Sequence, residues 1–154
     1  HERLVGSEMC IRDRRRNELF DIIKEEAVTY GIGIIDAARI DEINILQATY
    51  EAMRSAINNL NPSPDILLND AVTIPKVDIK QVPIIKGDAK SISIAAASVL
   101  AKVTRDRIMR KMDEMYPQYG FAKHKGYGTA AHMQAIRENG LCPLHRRSFV
   151  KNII

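Results

Sequence analysis

The stretch IIKGDAKS, residues 84–91, runs directly into ISIAAASVLAK, residues 92–102, and this junction decides the predicted fold. An apolar run of strand type stops here and an alanine-rich helix begins. Between the two, Gly87 precedes Asp88, an acidic residue that lies between two lysines. Side chains at such a transition are held rigidly yet can be reached by ligands. The junction predicts either a binding site or a simple helix cap formed by Asp88 or Ser91.

Helices and strands alternate on both sides of this junction. The patterns predict helices over 15–30, from Asp36 or Asp41 to about 60, over 91–115 and over 130–138, and strands over 30–35, 65–72 and 82–85. This alternation is typical of an α/β fold with a mixed or parallel sheet. The length of 154 residues suits one domain.

Charge is divided unevenly along the chain. Residues 1–100 carry 12 Lys and Arg against 15 Asp and Glu, a net charge of −3, whereas residues 101–154 carry 11 against 4, a net charge of +7. Clustered bases favour a phosphate-rich partner, although a basic surface that serves only solubility has the same composition. The two cysteines, Cys10 and Cys142, are far apart in sequence and form no CxxC pair of the kind that binds zinc. No apolar run is long enough to span a bilayer. We expect a soluble cytoplasmic protein with no membrane partner.

Two acidic residues follow successive predicted strands. Asp70 ends the run Ile66-Leu67-Leu68-Asn69, and Asp88 follows the next strand along the chain. Ligands of open α/β sheets collect at such strand ends, and carboxylate oxygens are the ligands that Mg²⁺ and Mn²⁺ take. The pair therefore predicts a metal site, unless both residues are ordinary turn aspartates.

The basic third of the chain, residues 101–154, also interleaves aromatic residues and glycines with its lysines and arginines. Residues 119–129 read YGFAKHKGYGT, and residues 145–149 read HRRSF. Lysine and arginine suit phosphates, while an aromatic ring between glycines can approach a sugar or base closely. His124 could be a surface residue, a hydrogen-bonding residue or a proton carrier. The segment 145–149 adds donors suited to phosphate oxygens.

Several blocks taken together resemble bacterial ribonuclease HII. They are KGDAKS (86–91), the helix ending KVTRDR (102–107), YGF (119–121), KHKGYGT (123–129), HRRSF (145–149) and DEINILQAT (41–49). The resemblance covers about residues 14–149, in order. It implies a ribonuclease H-like mixed sheet flanked by helices, with a C-terminal helical region. It also implies cleavage of the RNA strand of RNA–DNA hybrids, and of DNA at embedded ribonucleotides, with Mn²⁺ or Mg²⁺ in a two-metal mechanism and a monomer when complete.

The resemblance assigns roles to individual residues. Asp70 resembles the third metal-binding carboxylate of the family and Asp88 the fourth acidic residue, so both are expected to be catalytic metal ligands. Tyr127 resembles the tyrosine that packs against the ribose at the RNA–DNA junction, where the 2′-OH distinguishes RNA from DNA. The bases expected to bind substrate are Lys86, Lys90, Lys102, Lys123, Lys125, Arg146 and Arg147. Asn69 departs from the family, which usually has an apolar residue there.

A second departure is an absence from the sequence. The family opens with a strand bearing Asp-Glu-Ala-Gly-Arg-Gly, then a second strand and an Asp-Ser-Lys motif, and none of these occurs here. We expect an N-terminally truncated member that lacks its first two strands and is inactive alone. Residues 1–13 are expected to be a non-native leader, and 14–154 a partial domain including the basic C-terminal region.

Two other functions remain open at this point. The chain could be a non-enzymatic nucleic-acid-binding domain whose aspartates cap helices. A small-molecule phosphate enzyme is a third interpretation, against which the lack of a GxxxxGK loop speaks.

Overall fold

The computed structural model describes the backbone of residues 2–152 and the side chains of residues 12–152. Seven helices and two strands occur within that range. The helices are α1 (Glu2–Glu26), α2 (Ala37–Ile43), α3 (Ile45–Asn58), α4 (Gly87–Lys90), α5 (Ile92–Met115), α6 (Phe121–His124) and α7 (Ala130–Asn139); the strands are β1 (Ile66–Asp70) and β2 (Lys80–Ile84). A 3₁₀ turn covers Arg147–Phe149. The α/β class is confirmed.

The chain divides into two compact units. The first comprises His1–Ile32 and Ala56–Val103, and the second Gly33–Ser55 and Thr104–Ile154. They are described here separately, as unit 1 and unit 2.

Unit 1 contains the sheet. β1 and β2 are parallel and pair in register from Ile66 opposite Lys80 to Asp70 opposite Ile84. Both strands are short, as predicted for 65–72 and 82–85, and α5 follows them as expected. A small core of Phe20, Leu100 and Val103 joins α1 to α5.

The strand predicted over 30–35 is wrong, because these residues form no strand or helix. Within unit 1, this extended segment is held by side chains rather than by a ladder. Thr29 Oγ1 accepts a hydrogen bond from the Asn61 N–H at 3.1 Å, and Asn59 Nδ2 donates to the Ile32 carbonyl at 3.2 Å. Gly31 packs so close to the Ala56 carbonyl that a Cβ would lie 2.2 Å from its oxygen. Apolar character alone could not reveal that the segment lacks a partner strand.

The long helices also differ from their predicted bounds. α1 ends at Glu26 rather than near Tyr30, and its backbone is helical from Glu2. The expectation that residues 1–13 are non-native stays a prediction, because a helical backbone does not test it; the side chains of residues 1–11 lie outside the described part of the chain. The helix predicted from Asp36 or Asp41 is two helices, because Asn44 adopts a positive φ of 73° between them. Asp36 is the N-cap, accepting from the Arg39 N–H at 2.8 Å.

Unit 2 has its own core. Tyr119, Phe121, Ala135, Ile136 and Val150 are buried together, and Met109, Met112 and Leu144 are among the residues packed on them. Thr129 caps α7 by accepting from the His132 N–H at 3.2 Å. Among the described residues, no helix has a long enough run of apolar residues to cross a membrane.

Candidate active site

The two predicted acidic residues follow neighbouring strands, as expected. Asp70 is the last residue of β1, and Asp88 comes four residues after the end of β2. Asp70 Oδ1 accepts a hydrogen bond from the Gly87 N–H at 2.9 Å, so it is tied to the residue immediately before Asp88. Both carboxylates are exposed. The ends of the two parallel strands thus place the Asp70 carboxylate beside the segment that carries Asp88.

Gly87 is required by this close approach. It is buried, and a Cβ built on it would lie 2.5 Å from Ile94 Cδ1 and 3.3 Å from Asp70 Oδ1. Contacts under 3 Å force a neighbour to move, and Ile94 is itself buried. The glycine therefore lets the chain after β2 pass beside the carboxylate of Asp70.

The helix-cap interpretation of Asp88 is not supported by the geometry. α5 is capped by Ser91, whose Oγ accepts from the Ile94 N–H at 3.3 Å. α4 begins after Lys86, which makes no side-chain cap. Asp88 Oδ1 accepts from the adjacent Ala89 N–H, at 3.0 Å. The cap predicted for Asp88 or Ser91 is thus formed by Ser91.

Asn69, the residue that departs from the family, has a clear local function. Its Nδ2 donates to Gln81 Oε1 at 2.8 Å, and the same oxygen accepts from the Ile74 N–H at 2.7 Å. Gln81 Nε2 donates back to the Ile74 carbonyl at 2.9 Å. The side-chain amides of Asn69 and Gln81 therefore fix the loop that follows Asp70, and the Asn69 amide is hydrogen-bonded.

Three of the predicted basic residues lie in unit 1. Lys86 and Lys90 flank the acidic segment and are exposed, and Lys86 adopts a left-handed backbone with φ of 53°. Lys102 is half-buried in α5. Positive charge therefore borders Asp88 on both sides along the chain.

Tyr127 and the other predicted bases lie in unit 2. The Tyr127 side chain is 60% exposed. Lys123 and Arg147 are exposed, whereas Lys125 is half-buried and its Nζ pairs with Asp106 at 3.3 Å. Arg105 Nη2 donates to the Lys125 carbonyl at 3.2 Å. The loop before Tyr127 is thus anchored by charged groups of α5.

Arg146 and Arg147 are placed by a residue whose role the sequence did not reveal. Asp41 accepts from the backbone N–H groups of Arg147 and Ser148, at 2.8 and 3.0 Å, and from the Ser148 hydroxyl. The Ser148 hydrogen bonds lower the pKa of Asp41. Arg146 lies over the Phe149 ring, 3.7 Å from its centroid, and burial together with the nearby Arg105 charge lowers its pKa. The partners are more than 100 residues apart in sequence, so no spacing pattern could link them.

The histidines are placed differently from one expectation. The segment 145–149 was expected to add donors to phosphate oxygens, but His145 is not available for this, because it is buried and hydrogen-bonded to His132, with 2.9 Å between their Nε2 atoms. His124 is also buried, and its Nε2 contacts the Tyr119 carbonyl at 2.7 Å, which fits the hydrogen-bonding alternative. His132, which the sequence did not single out, stacks on His124 with ring centroids 4.0 Å apart.

Comparison with solved structures defines the class of protein. The fold matches the crystal structure of the ribonuclease H2 from Pyrococcus horikoshii OT3, with a TM-score of 0.75 and 24% identity, over 92% of this chain and 75% of that one. At this identity the likeness concerns the fold alone, so the chain is an α/β protein with a ribonuclease H2 fold. The sequence is more specific: the family model described as Ribonuclease HII matches residues 10–152. The chain belongs to the ribonuclease HII family, and the resemblance seen in its motifs is confirmed.

Individual relatives agree with this assignment. Ribonuclease HII of Clostridioides difficile is 61% identical over 150 residues, and that of Lachnoclostridium phytofermentans is 63% identical over 149. Each alignment covers 97% of this chain but 59% of the relative. The chain thus spans about three-fifths of the length of these relatives.

Proposed function

We propose that this chain takes part in metal-dependent hydrolysis of phosphodiester bonds, in the RNA strand of RNA–DNA hybrids and at ribonucleotides embedded in DNA. The observation that carries the proposal is the pair Asp70 and Asp88 at neighbouring parallel strand ends, joined through the Gly87 N–H. Because Ser91 caps α5, Asp88 has no helix-capping task there. Family membership supplies the reaction class.

The donor set suits a hard divalent cation. Mg²⁺ and Mn²⁺ prefer oxygen ligands, and Mg²⁺ commonly uses one or two carboxylates together with water and substrate phosphates. Asp70 Oδ1 accepts from the Gly87 N–H, which leaves Oδ2 for an ion. Asp88, the residue after Gly87, has an exposed side chain. A bound ion would activate water and stabilise charge on the leaving oxygen.

Two ions need more acidic ligands than this pair provides. Within the part of the chain that the structure describes, no three His, Cys, Asp or Glu residues are grouped so that they could hold a metal. We therefore propose that the two-metal mechanism requires further carboxylates, and that this chain alone cuts slowly or not at all.

Unit 2 is proposed to bind the substrate. The exposed Tyr127 ring would pack against the ribose, and Lys123 and Arg147 would contact phosphates. Within unit 1, Lys86 and Lys90 are also proposed to contact phosphates. Arg146 and Lys102, both half-buried, would do so with part of their side chains covered. The charge of Lys125 is engaged by Asp106, so its proposed contribution is to hold the loop before Tyr127.

The test uses the 154-residue chain with three duplexes: an RNA–DNA hybrid, DNA with one ribonucleotide, and DNA alone. Binding should weaken as salt rises, by about 0.9 in log K per log salt for each phosphate contact. Any cleavage should need Mn²⁺ or Mg²⁺ and should be lost in Asp70→Asn but kept in Asp78→Asn, a matched change of another exposed aspartate. Cleavage that survives Asp70→Asn would contradict the proposal, and tight duplex binding by a chain that binds neither Mn²⁺ nor Mg²⁺ would favour the non-enzymatic alternative.

A further inference from the structure

The backbone of Tyr127 is held by a chain of buried histidines in unit 2. The Tyr127 carbonyl accepts from His132 Nδ1 at 2.8 Å and from the Thr129 N–H at 2.9 Å. His132 Nε2 contacts His145 Nε2 at 2.9 Å, and His145 Nδ1 accepts from the Cys142 N–H at 2.9 Å. The exposed ring of Tyr127 thus projects from a backbone that is tied to the core.

The partners of the histidines fix their tautomers. A backbone N–H can only donate and a carbonyl can only accept. His145 Nδ1 therefore accepts, so the proton of neutral His145 lies on Nε2 and is donated to His132. His132 accepts there and donates from Nδ1 to the Tyr127 carbonyl. A continuous, directed chain of hydrogen bonds runs from Cys142 to Tyr127.

His124 adds a second hold on the same loop. Its Nε2 donates to the Tyr119 carbonyl at 2.7 Å, and its Nδ1 accepts from the Gly126 N–H at 3.1 Å. The Tyr127 N–H donates to the His124 carbonyl at 3.0 Å. Gly126 needs its freedom, because its φ is 84° and a Cβ would lie 3.1 Å from Arg105 Nη2. All six ring nitrogens of His124, His132 and His145 are engaged, which leaves no donor or acceptor for substrate.

We propose that His132, oriented by His145, is a positioning residue that presents the Tyr127 ring for packing on the ribose of the substrate. The proposal rests on the proposed function only for the identity of what Tyr127 contacts. The mechanical part, in which His132 Nδ1–H fixes the loop through the Tyr127 carbonyl, stands on the hydrogen bonds alone. If the network merely stabilised unit 2, Tyr127 would loosen most in whichever His132 variant loses most stability.

Two substitutions separate these roles. His132→Asn places a donor near the Nδ1 position, so it keeps the Tyr127 contact and loses the one to His145. His132→Gln reaches the Nε2 position, so it keeps an acceptor for His145 and loses the Tyr127 contact. Each variant loses one hydrogen bond of the chain. His132→Asn leaves the buried His145 donor without its partner, whereas in His132→Gln the Tyr127 carbonyl keeps the Thr129 N–H, so His132→Asn should be the less stable of the two.

The first measurement uses fluorescence and needs no substrate. The chain has no tryptophan, so Tyr127→Trp introduces a single reporter at the position in question. His132→Gln in this background should lower the anisotropy of the tryptophan and raise its quenching by acrylamide, whereas His132→Asn should stay near the parent. Equal behaviour of the two variants, or the reverse order, would overturn the proposal.

The second measurement keeps Tyr127 in place and compares the affinity of the chain for the ribonucleotide-containing duplex with its affinity for the all-DNA duplex. The affinity ratio should fall about fivefold in His132→Gln, the effect of losing roughly one stacking contact, and be largely retained in His132→Asn, with all-DNA binding unchanged in both. A parent chain without any ribonucleotide preference would overturn the proposed function while the fluorescence result still judges the positioning role. If His132→Gln unfolds, the ¹⁵N spectrum of the unaltered chain tests the proposal instead. We expect His132 to carry its proton on Nδ1 and His145 to carry its proton on Nε2. A His132 proton on Nε2 would overturn the proposal.

Discussion

Gly87 shows how one residue determines the geometry of the acidic pair. Its N–H holds Asp70, its neighbour is Asp88, and the space where its side chain would lie is filled by Ile94. The sequence motif already placed a glycine before the acidic residue. What the motif could not show is that the glycine is needed for packing against Ile94.

Gly87→Ala should destabilise the chain by about 1–3 kcal/mol, because the new methyl overlaps the buried Ile94 side chain. Thermal or urea unfolding measures this loss. Ile94→Val removes Cδ1, the nearest atom, and alone should cost about 0.5–1.5 kcal/mol. In the double variant, Gly87→Ala should cost less than it does alone. Strictly additive losses would show that the overlap is not the cause.

At the level of elements, the histidine chain links α6, α7 and the C-terminal loop. Burial lowers the pKa of His132, and burial together with the neighbouring His132 lowers that of His145. Other titratable groups near them are His124, Tyr119, Cys142 and Asp41, and burial raises the pKa of both Tyr119 and Cys142, which are therefore uncharged near neutral pH. The Asp41 carboxylate lines the same cavity as His145, but burial and the neighbouring His132 still leave the pKa of His145 lowered.

The stability of unit 2 should therefore depend on pH. An unfolded histidine binds its proton near pH 6.5, whereas folded His132 and His145 bind theirs only at lower pH. As pH falls below about 6.5, the unfolded chain takes up more protons than the folded chain does. The melting temperature should therefore be highest above that pH and decline below it. His145→Gln should flatten the decline while lowering stability at pH 8. A melting temperature that rises between pH 7 and about pH 5.5 would contradict the neutral network.

At the level of the whole molecule, unit 1 has a sheet with little cover. Among the described residues each strand pairs only with the other. On β1, Ile66 and Leu68 are 45% and 40% exposed and share one face. Two-stranded sheets are marginal alone, and open edges and apolar faces promote association.

We expect the chain to self-associate as its concentration rises. Sedimentation velocity should show the shift, and Leu68→Lys should reduce it, since charge on the exposed face opposes burial. Ile34→Lys is the control, because Ile34 is also exposed, at 64%, but lies outside the sheet. A chain that stays monomeric and melts cooperatively over this concentration range would show that the face needs no cover.

The sequence predicted the parts of the site that depend on local pattern. Asp70 and Asp88 follow short apolar runs, and parallel strands bring such ends together, so their placement was predictable. Other features depend on partners far along the chain. These are the absence of the predicted strand at 30–35, the hydrogen bonds between Asp41 and Ser148, and the burial of His145. No periodicity or spacing encodes such contacts, which is why His145 was included in a segment expected to donate to phosphates.

The central claim is that Asp70 and Asp88 form one divalent-cation site, and broadening of backbone amide signals by Mn²⁺ tests it most directly. Substoichiometric Mn²⁺ added to the ¹⁵N-labelled chain should selectively broaden the amides around residue 70 and residues 87–89. Excess Mg²⁺ should reverse the effect, Asp70→Asn should abolish it, and Asp78→Asn should leave it intact. Broadening that is absent there, spread evenly over the acidic surface or unchanged in Asp70→Asn would contradict the account.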